Sequence, residues 1–186
     1  MDMEDVHGYT AFVGSRRLTS GRLTKVLADV KSRFDRDRAA LMPIFDDETG
    51  RQVDFDLRGT VDDVLARAIP EPARAGRGRP RLGVISREVT LLPRHWEWLE
   101  RQPNGASAGL RRLVDEARKR EPEKERVRLG IDAVGRFLSA IAGNLPGYEE
   151  ATRALYRHDR ARFDRLIRGW PKDIRLHTRQ LARNLF

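Results

Sequence analysis

The spacing of apolar positions changes several times in the first third of the chain, which predicts a small mixed module. Tyr9–Val13 is a short apolar run with aromatic and β-branched members, typical of a strand, and residues 16–18 are placed as its hairpin partner. Thr19 or Ser20 can then cap a helix. Its apolar residues recur at helical spacing: Leu23, Val26, Leu27, Val30 and Phe34.

A second hairpin and a closing helix are predicted next. After the turn-forming residues 46–50, Val53, Phe55 and Leu57 alternate strictly with polar residues, which indicates strands with one face in solvent. Thr60, followed three positions later by Asp63, resembles a capping box for a short helix. Residues 1–69 are therefore predicted to form a small α+β module.

Proline, glycine and arginine dominate residues 70–80, and no residue larger than alanine other than proline offers an apolar face there. Such a segment packs neither as a helix nor as a central strand, so it is predicted to be a basic linker. Residues 121–186 return to helical spacing in several short stretches separated by glycine and proline. They are predicted to form a helical module.

The central residues 81–120 read as a strand followed by two helices. Residues 87–92 are β-prone and stop at Pro93, which suits the first turn of a helix. Leu92, Trp96 and Leu99 give that helix one apolar stripe. Ser107 can cap a second helix with its own stripe at positions 110, 113, 114 and 117. About 40 residues are too few to bury two such helices alone.

This central segment resembles the ribbon-helix-helix family of the Arc and MetJ repressors. The resemblance rests on residues 89–93, on Trp96 and Leu99, and on residues 105–107 ahead of the second helix. It implies a homodimer whose two central strands pair into one antiparallel ribbon that enters the major groove of double-stranded DNA. It also implies that backbone N–H groups at Ser107 hold a phosphate. Gly109 departs from the family, which often has a small hydroxyl residue there.

The face of the strand that meets the groove has two alternatives. One phase presents Arg87 with Val89 and Leu91, and the other presents Ser86 with Glu88 and Thr90. A core that needs Val89 and Leu91 favours Glu88 and Thr90 outward, where Glu88 could accept from a cytosine amino group but is otherwise repelled by phosphate. The phase stays open, so the candidate DNA-binding residues of the strand are Glu88 and Thr90 from the favoured phase and Arg87 from the other.

A basic arm precedes the strand. Residues 76–81 contain Arg-Gly-Arg-Pro, which resembles the core of an AT-hook. An extended backbone of this kind is thin enough for a narrow A·T minor groove, whose negative potential attracts arginine. Arg77, Arg79 and Arg81 are therefore the candidate minor-groove and phosphate contacts, although a plain linker would also have this composition.

Net charge and cysteine content change the picture in two ways. The chain has a formal charge of +9 and a pI of about 10.7, which favours a polyanionic partner such as nucleic acid or an acidic membrane face. It has no cysteine, no apolar run long enough to span a membrane and no secretory signal in residues 1–7. We therefore expect a cytoplasmic, nucleoid-associated protein with no membrane partner.

Catalytic and metal chemistry have weak support in the sequence. The clustered acids Asp46, Asp47, Asp54 and Asp56 could hold Mg²⁺, but turn and strand roles explain them more simply. The four histidines lack ligand spacing, and no serine lies in a glycine-flanked elbow. We expect no catalytic residue, metal or cofactor, and no enzymatic activity.

Three stretches together resemble one bacterial family catalogued as domain of unknown function 2239: residues 45–58, 87–94 and 146–151. That resemblance implies no activity. From the sequence we expect a dimeric transcriptional regulator or DNA-architectural protein with an α+β fold, in which the C-terminal helices offer a site for a protein partner. The alternatives are an antitoxin-like or adaptor interaction module and, third, a metal-dependent nuclease.

Overall fold

The computed structural model describes residues 7–69, 85 and 87–186. The predicted linker, with Arg77, Arg79 and Arg81, lies outside these residues, as does Ser86. The described residues fall into two compact units. The first joins residues 7–69 to residues 126–186, and the second contains residue 85 and residues 87–125.

A four-stranded antiparallel sheet lies at the centre of the first unit. Its strands are β1 (Tyr9–Val13), β2 (Arg16–Gly21), β3 (Ile44–Asp46) and β4 (Gln52–Val53), in the order β2-β1-β3-β4. Gly14 turns the first hairpin with a positive φ of 57°, a conformation that glycine adopts without steric cost. The fold is α+β, as the sequence predicted.

Two helices cover one face of the sheet. They are α1 (Leu23–Arg36) and α2 (Val61–Ala68). The predicted capping box is present, since the Thr60 side chain accepts from the Asp63 N–H while Asp63 accepts from the Thr60 N–H. The core on this side consists of the apolar stripes of both helices and inward residues of the sheet: Ala11, Val26, Leu27, Val30, Ile44 and Val64.

The C-terminal helices belong to the other hydrophobic core. They are α5 (Pro122–Ile141), α6 (Tyr148–Tyr156), α7 (Arg160–Leu166) and α8 (Lys172–Leu181), with a 3₁₀ turn at Ile167–Gly169. Successive strand residues point to opposite faces, so Ala11 and Ile44 join the first core while Phe12 and Phe45 join this one. The sequence divided residues 1–69 from residues 121–186, but the structure gives them a shared core. Apolar spacing identifies a buried face and not the partner that buries it.

One predicted strand is much shorter than expected. The alternation from Val53 to Leu57 predicted a strand, yet only Gln52–Val53 pairs with β3. Phe55 and Leu57 still pack, partly buried, against the core formed with α1 and α2. The alternation therefore predicted the burial of these side chains correctly, but the predicted strand pairing was wrong. A segment can bury alternate side chains without pairing with a neighbouring strand.

The second unit contains the two predicted helices of the central segment, α3 (Pro93–Glu100) and α4 (Gly105–Arg120). Pro93 occupies the first turn of α3, where its missing N–H costs no hydrogen bond. Asn104 adopts the left-handed conformation, with φ 65°, and turns the chain between the helices. Residues 87–92 form no strand in the single chain.

Candidate nucleic-acid interface

The helical hairpin of the second unit leaves most of its apolar side chains uncovered. Among the large apolar residues in the described part of this unit, only Leu99 is buried, at 3% exposure. Others keep a third or more of their surface in solvent: Val89, Leu92, Trp96, Trp98, Leu113 and Val114. We call these six residues the hairpin apolar face. Large apolar side chains exposed in this number on one small unit are typical of an interaction site.

A close approach of the two helices explains the unusual glycine. Gly109 is buried, and a Cβ atom built there would lie 3.3 Å from the Gln102 Cβ and 3.4 Å from Leu99 Cδ2. The small residue lets α4 pack against the end of α3. Arg112 then crosses the hairpin and donates to Gln102 Oε1 at 2.6 Å. The departure at Gly109 therefore has a packing reason within one chain.

The candidate DNA-contacting side chains that lie within the described residues are accessible. Arg87, Glu88, Thr90 and Ser107 are exposed, and none has a side-chain hydrogen bond or ion pair with another described residue. The first three lie within four positions of one another in a segment without regular secondary structure, whereas Ser107 lies in the first turn of α4. The single chain does not gather them into one pocket.

The start of α4 has unused hydrogen-bond donors. No side chain caps this helix, and the Gly105 N–H is directed back to the Gln102 carbonyl at 3.1 Å. The N–H groups of the following residues in the first turn have no intrahelical acceptor, as in every α-helix. A phosphate oxygen would satisfy them and would be favoured by the helix dipole.

Basic residues predominate in this unit. Residues 72–125 contain thirteen arginines and lysines against eight acidic residues. Three of the cations, Arg118, Lys119 and Arg120, form the last turn of α4. The unit therefore has a net charge of +5 while making up less than a third of the chain.

The first unit contains a polar cleft of its own, of about 620 Å³. Its walls come from the start of β1, the end of β2, the β3–β4 turn and the end of α8. Charged and amide side chains predominate among the lining residues: His7, Gly8, Ser20, Gly21, Asp47, Glu48, Gln180, Leu181, Arg183 and Asn184.

Asp47, which lines this cleft, forms a pair with the fully buried His177. Asp47 Oδ1 and both ring nitrogens of His177 have no hydrogen-bond partner among the described residues. His177 Nε2 lies 3.6 Å from Asp47 Oδ1, which is beyond hydrogen-bond length. The other Asp47 oxygen accepts from Thr10 at 3.1 Å. The rings of Phe12 and Phe137 pack against the imidazole, with centroids 5.6 and 4.7 Å away.

Burial changes the acidity of both groups. Desolvation lowers the pKa of His177 to about 4, and the positive charge of Arg17 acts in the same direction. Desolvation raises the pKa of Asp47, although the hydrogen bond from Thr10 opposes it. His177 is therefore neutral at neutral pH, and the pair is not a salt bridge under those conditions.

The four aspartates considered for Mg²⁺ serve local roles. Asp46 accepts from the Glu48 and Thr49 N–H groups in the β3–β4 turn, at 2.9 Å each. Asp56 pairs with Arg58, and Asp54 accepts from Gln52 at 3.2 Å. In the part of the chain that the structure describes, no three His, Cys, Asp or Glu side chains are grouped so that they could hold a metal ion.

Comparison with known proteins identifies the family. Residues 8–182 match the model of domain of unknown function 2239, described as an uncharacterized protein conserved in bacteria. The chain belongs to this bacterial family. No curated protein and no solved structure matches it. Within the described ranges of this family member, no helix is long and apolar enough to cross a membrane.

Sequence reasoning missed the Asp47–His177 pair of this family member. The signal was available, because His177 shares the buried side of α8 with Ile174 and Thr178, three positions before it and one after. A histidine within an apolar stripe marks a buried titratable group. Its partner, 130 positions earlier in a turn, has no such signal.

Proposed function

We propose that this protein is a homodimeric DNA-binding protein of the nucleoid and that its central unit forms both the dimer contact and the major-groove contact. The observation that carries the proposal is the exposed hairpin apolar face. Two helices that bury a single large apolar residue need a second surface, and a second copy of the same hairpin supplies one of matching shape and polarity.

The β-prone segment ahead of α3 supports the same arrangement. Residues 87–92 lack a strand partner in one chain, and an antiparallel pair formed with a second copy would satisfy their backbone groups. The pair would place Val89 towards the hairpins and Glu88 and Thr90 towards the groove. The first turn of α4, at Ser107, would then contact a phosphate. In the other phase of the strand, Arg87 would point to the groove instead.

Charge complements this geometry. The +5 of the central unit includes Arg77, Arg79 and Arg81, directly ahead of the proposed ribbon. Arginine pairs with phosphate through two parallel hydrogen bonds, and an extended basic arm fits a narrow minor groove. We propose a transcriptional regulator or DNA-architectural protein without enzymatic activity.

The dimer contact is tested by a charge on the hairpin apolar face. Val114 is 55% exposed in the single chain, so Val114→Asp should leave the monomer folded. In the dimer the carboxylate would replace the two buried methyl groups of Val114. We therefore expect the dimer dissociation constant to rise by about 100-fold. Sedimentation equilibrium measures the constant, and circular dichroism checks the helix content.

Leu41→Asp is the matched control, because Leu41 is 85% exposed and lies in the other unit. It should leave the dimer unchanged. A wild-type protein that remains monomeric at high concentration, or a Val114→Asp variant that dimerises normally, would exclude the proposed interface.

DNA binding is tested through its salt dependence. Arg77→Ala combined with Arg79→Ala should weaken binding to an A·T-rich duplex and reduce the slope of log K against log salt by about 2, one unit for each lost phosphate contact. Fluorescence anisotropy across a salt series measures both quantities. Binding that does not depend on salt, or that is equal in the variant, would contradict the proposal.

An interaction module is the second candidate, and the same apolar face favours it. Trp96 and Trp98, 36% and 47% exposed, are residue types that anchor protein interfaces. In that case the hairpin takes up a segment of another protein, as an antitoxin-like protein or adaptor would. A wild-type chain that is monomeric, ignores duplex DNA and copurifies with a stoichiometric protein would favour this candidate.

A further inference from the structure

The C-terminal helices of the first unit carry a large excess of positive charge. Residues 151–186 contain ten arginines and lysines against three aspartates, whereas residues 1–71 contain eleven against fourteen acids. If the arginines reflected only a general bias in amino-acid composition, positive charge would be distributed evenly along the chain. The segregation instead indicates a surface built for a partner of opposite charge.

Contacts bring these cations to one side of α7 and α8. Asp164 on α7 lies 2.9 Å from Arg179 Nε on α8 and 3.8 Å from Arg160 Nε on its own helix. Arg175 donates to the Arg168 carbonyl at 2.6 Å, which ties α8 to the turn that follows α7. These contacts place Arg160 and Arg179 side by side at Asp164 and bring Arg175 close to Arg168.

The spacing of basic residues along α8 places three of them on one face of that helix. Lys172, Arg175 and Arg179 are separated by three and four positions, so they share one face of the helix. We call these three residues, with Arg160 and Arg168, the C-terminal basic face. Asp164 is the acidic side chain that the described contacts place on it, since the nearby Asp173 accepts instead from the Arg17 N–H on β2 at 2.9 Å.

Several of these cations have no acidic partner. Arg168 and Lys172 are exposed, and their side chains form no ion pair with a described residue. Asp164 is shared between two arginines, so it neutralises at most one of them. Leaving like charges together without partners raises the energy of the isolated protein, and a polyanion would relieve that repulsion.

We propose that the C-terminal basic face binds the phosphate backbone of double-stranded DNA as a second contact surface, separate from the central unit. Four of its five cations are arginines, whose planar guanidinium groups match phosphate oxygens bidentately. From Lys172 to Arg179 this face is about 10 Å long, which along the DNA axis corresponds to about three phosphates of one strand at about 3.4 Å each. The contact reads no base sequence.

Arg168→Gln combined with Lys172→Gln tests the surface in the full chain. Both side chains are exposed and unpaired, so the variant should fold normally. Losing two phosphate contacts should reduce the salt slope of binding to a random duplex by about 2 and weaken binding at low salt by about 10-fold. Arg38→Gln with Arg51→Gln is the control, because these arginines are exposed and unpaired, belong to the N-terminal part, and remove the same charge.

The same pair of substitutions in the Arg77→Ala, Arg79→Ala background separates this surface from the proposed function. A further fall in slope in that background supports a second, independent contact. If the variant with Arg77→Ala and Arg79→Ala binds as wild type while Arg168→Gln with Lys172→Gln lowers the slope, the result supports the C-terminal basic face. It also contradicts the proposed role of the central unit. An equal slope for the test and control variants overturns the proposal. The proposal is also overturned if the wild-type protein binds vesicles with 30 mol% phosphatidylserine but does not bind duplex DNA.

Discussion

The Gly50→Ala variant is expected to lose more than about 3 kcal/mol of unfolding free energy, a large part of what a domain of this size has. Gly50 closes the β3–β4 turn with a φ of +64°, and its N–H donates to the Asp46 carbonyl at 2.8 Å. A Cβ atom built there would lie 1.8 Å from the Ala133 carbonyl oxygen and 2.8 Å from the Ala133 Cα. Neither backbone atom can move without displacing α5.

The Gly14→Ala variant is a control that separates the backbone strain of a positive φ from the steric clash with Ala133. Gly14 has a similar φ of +57°, but nothing lies within 4 Å of the Cβ built there. Left-handed backbone strain alone should therefore cost about 1 to 2 kcal/mol in this control. In thermal unfolding we expect Gly50→Ala to melt at least about 6 °C below wild type, and well below Gly14→Ala. Equal melting temperatures for the two variants would mean that the turn does not contact α5 closely.

The buried imidazole of His177 is expected to make the first unit sensitive to acid. Its folded-state pKa of about 4 lies below the ordinary value of 6.5, so between these values the unfolded chain binds the proton and the folded chain does not. Stability from this group is complete above pH 6.5 and is lost as the pH falls towards 4. The full loss is about 3 kcal/mol, at about 1.4 kcal/mol for each pH unit.

Asp47 works in the opposite direction. Its raised pKa means that the folded state holds the carboxyl proton more tightly than the unfolded chain, so its contribution favours folding as the pH falls towards the ordinary carboxyl range. The contribution of Asp47 is expected at the acid end of the range from pH 6.5 to 4. There it offsets part of the unfolding free energy that is lost through His177. The steepest loss of stability should therefore fall in the upper part of the range from pH 6.5 to 4.

Denaturant unfolding at a series of pH values measures this effect. His177→Leu and His177→Phe both remove the titrating nitrogen atoms, and they differ in volume, so at least one should fold among the surrounding phenylalanines. We expect a flatter pH dependence in either variant, whatever its stability at pH 7. His95→Gln removes an exposed histidine and serves as the control. A wild-type pH dependence in the His177 variants would show that another group dominates.

Local structure was largely predictable because its causes are local. The helix of residues 23–34 followed from its apolar stripe, the capping box from Thr60 and Asp63, and α3 from Pro93. Each depends on residues within a few positions of one another, where spacing determines geometry. The two helices of the central segment were predicted for the same reason.

The pairing of distant segments was not predictable in this way. Phe12 and Phe45 read as strand residues, but nothing near them in the sequence specifies that helices after residue 126 cover them. The Asp47–His177 pair, and the contact of Arg179 with Asp164, likewise join residues that are distant in the sequence. A single sequence without aligned relatives contains apolar periodicity and charge but no record of which faces meet.

The shared core of the first unit sets an order of events during synthesis. Phe45 stacks edge-on against Phe137 with ring centroids 4.9 Å apart, and 92 positions separate them in the chain. At about 5 to 20 residues per second, a ribosome needs about 5 to 20 s to make that interval. Through this time the sheet of the nascent chain has one apolar face without its helices. We expect ribosome-bound chains stalled before residue 126 to be cleaved rapidly by protease and captured by chaperones, and chains released at full length to resist both.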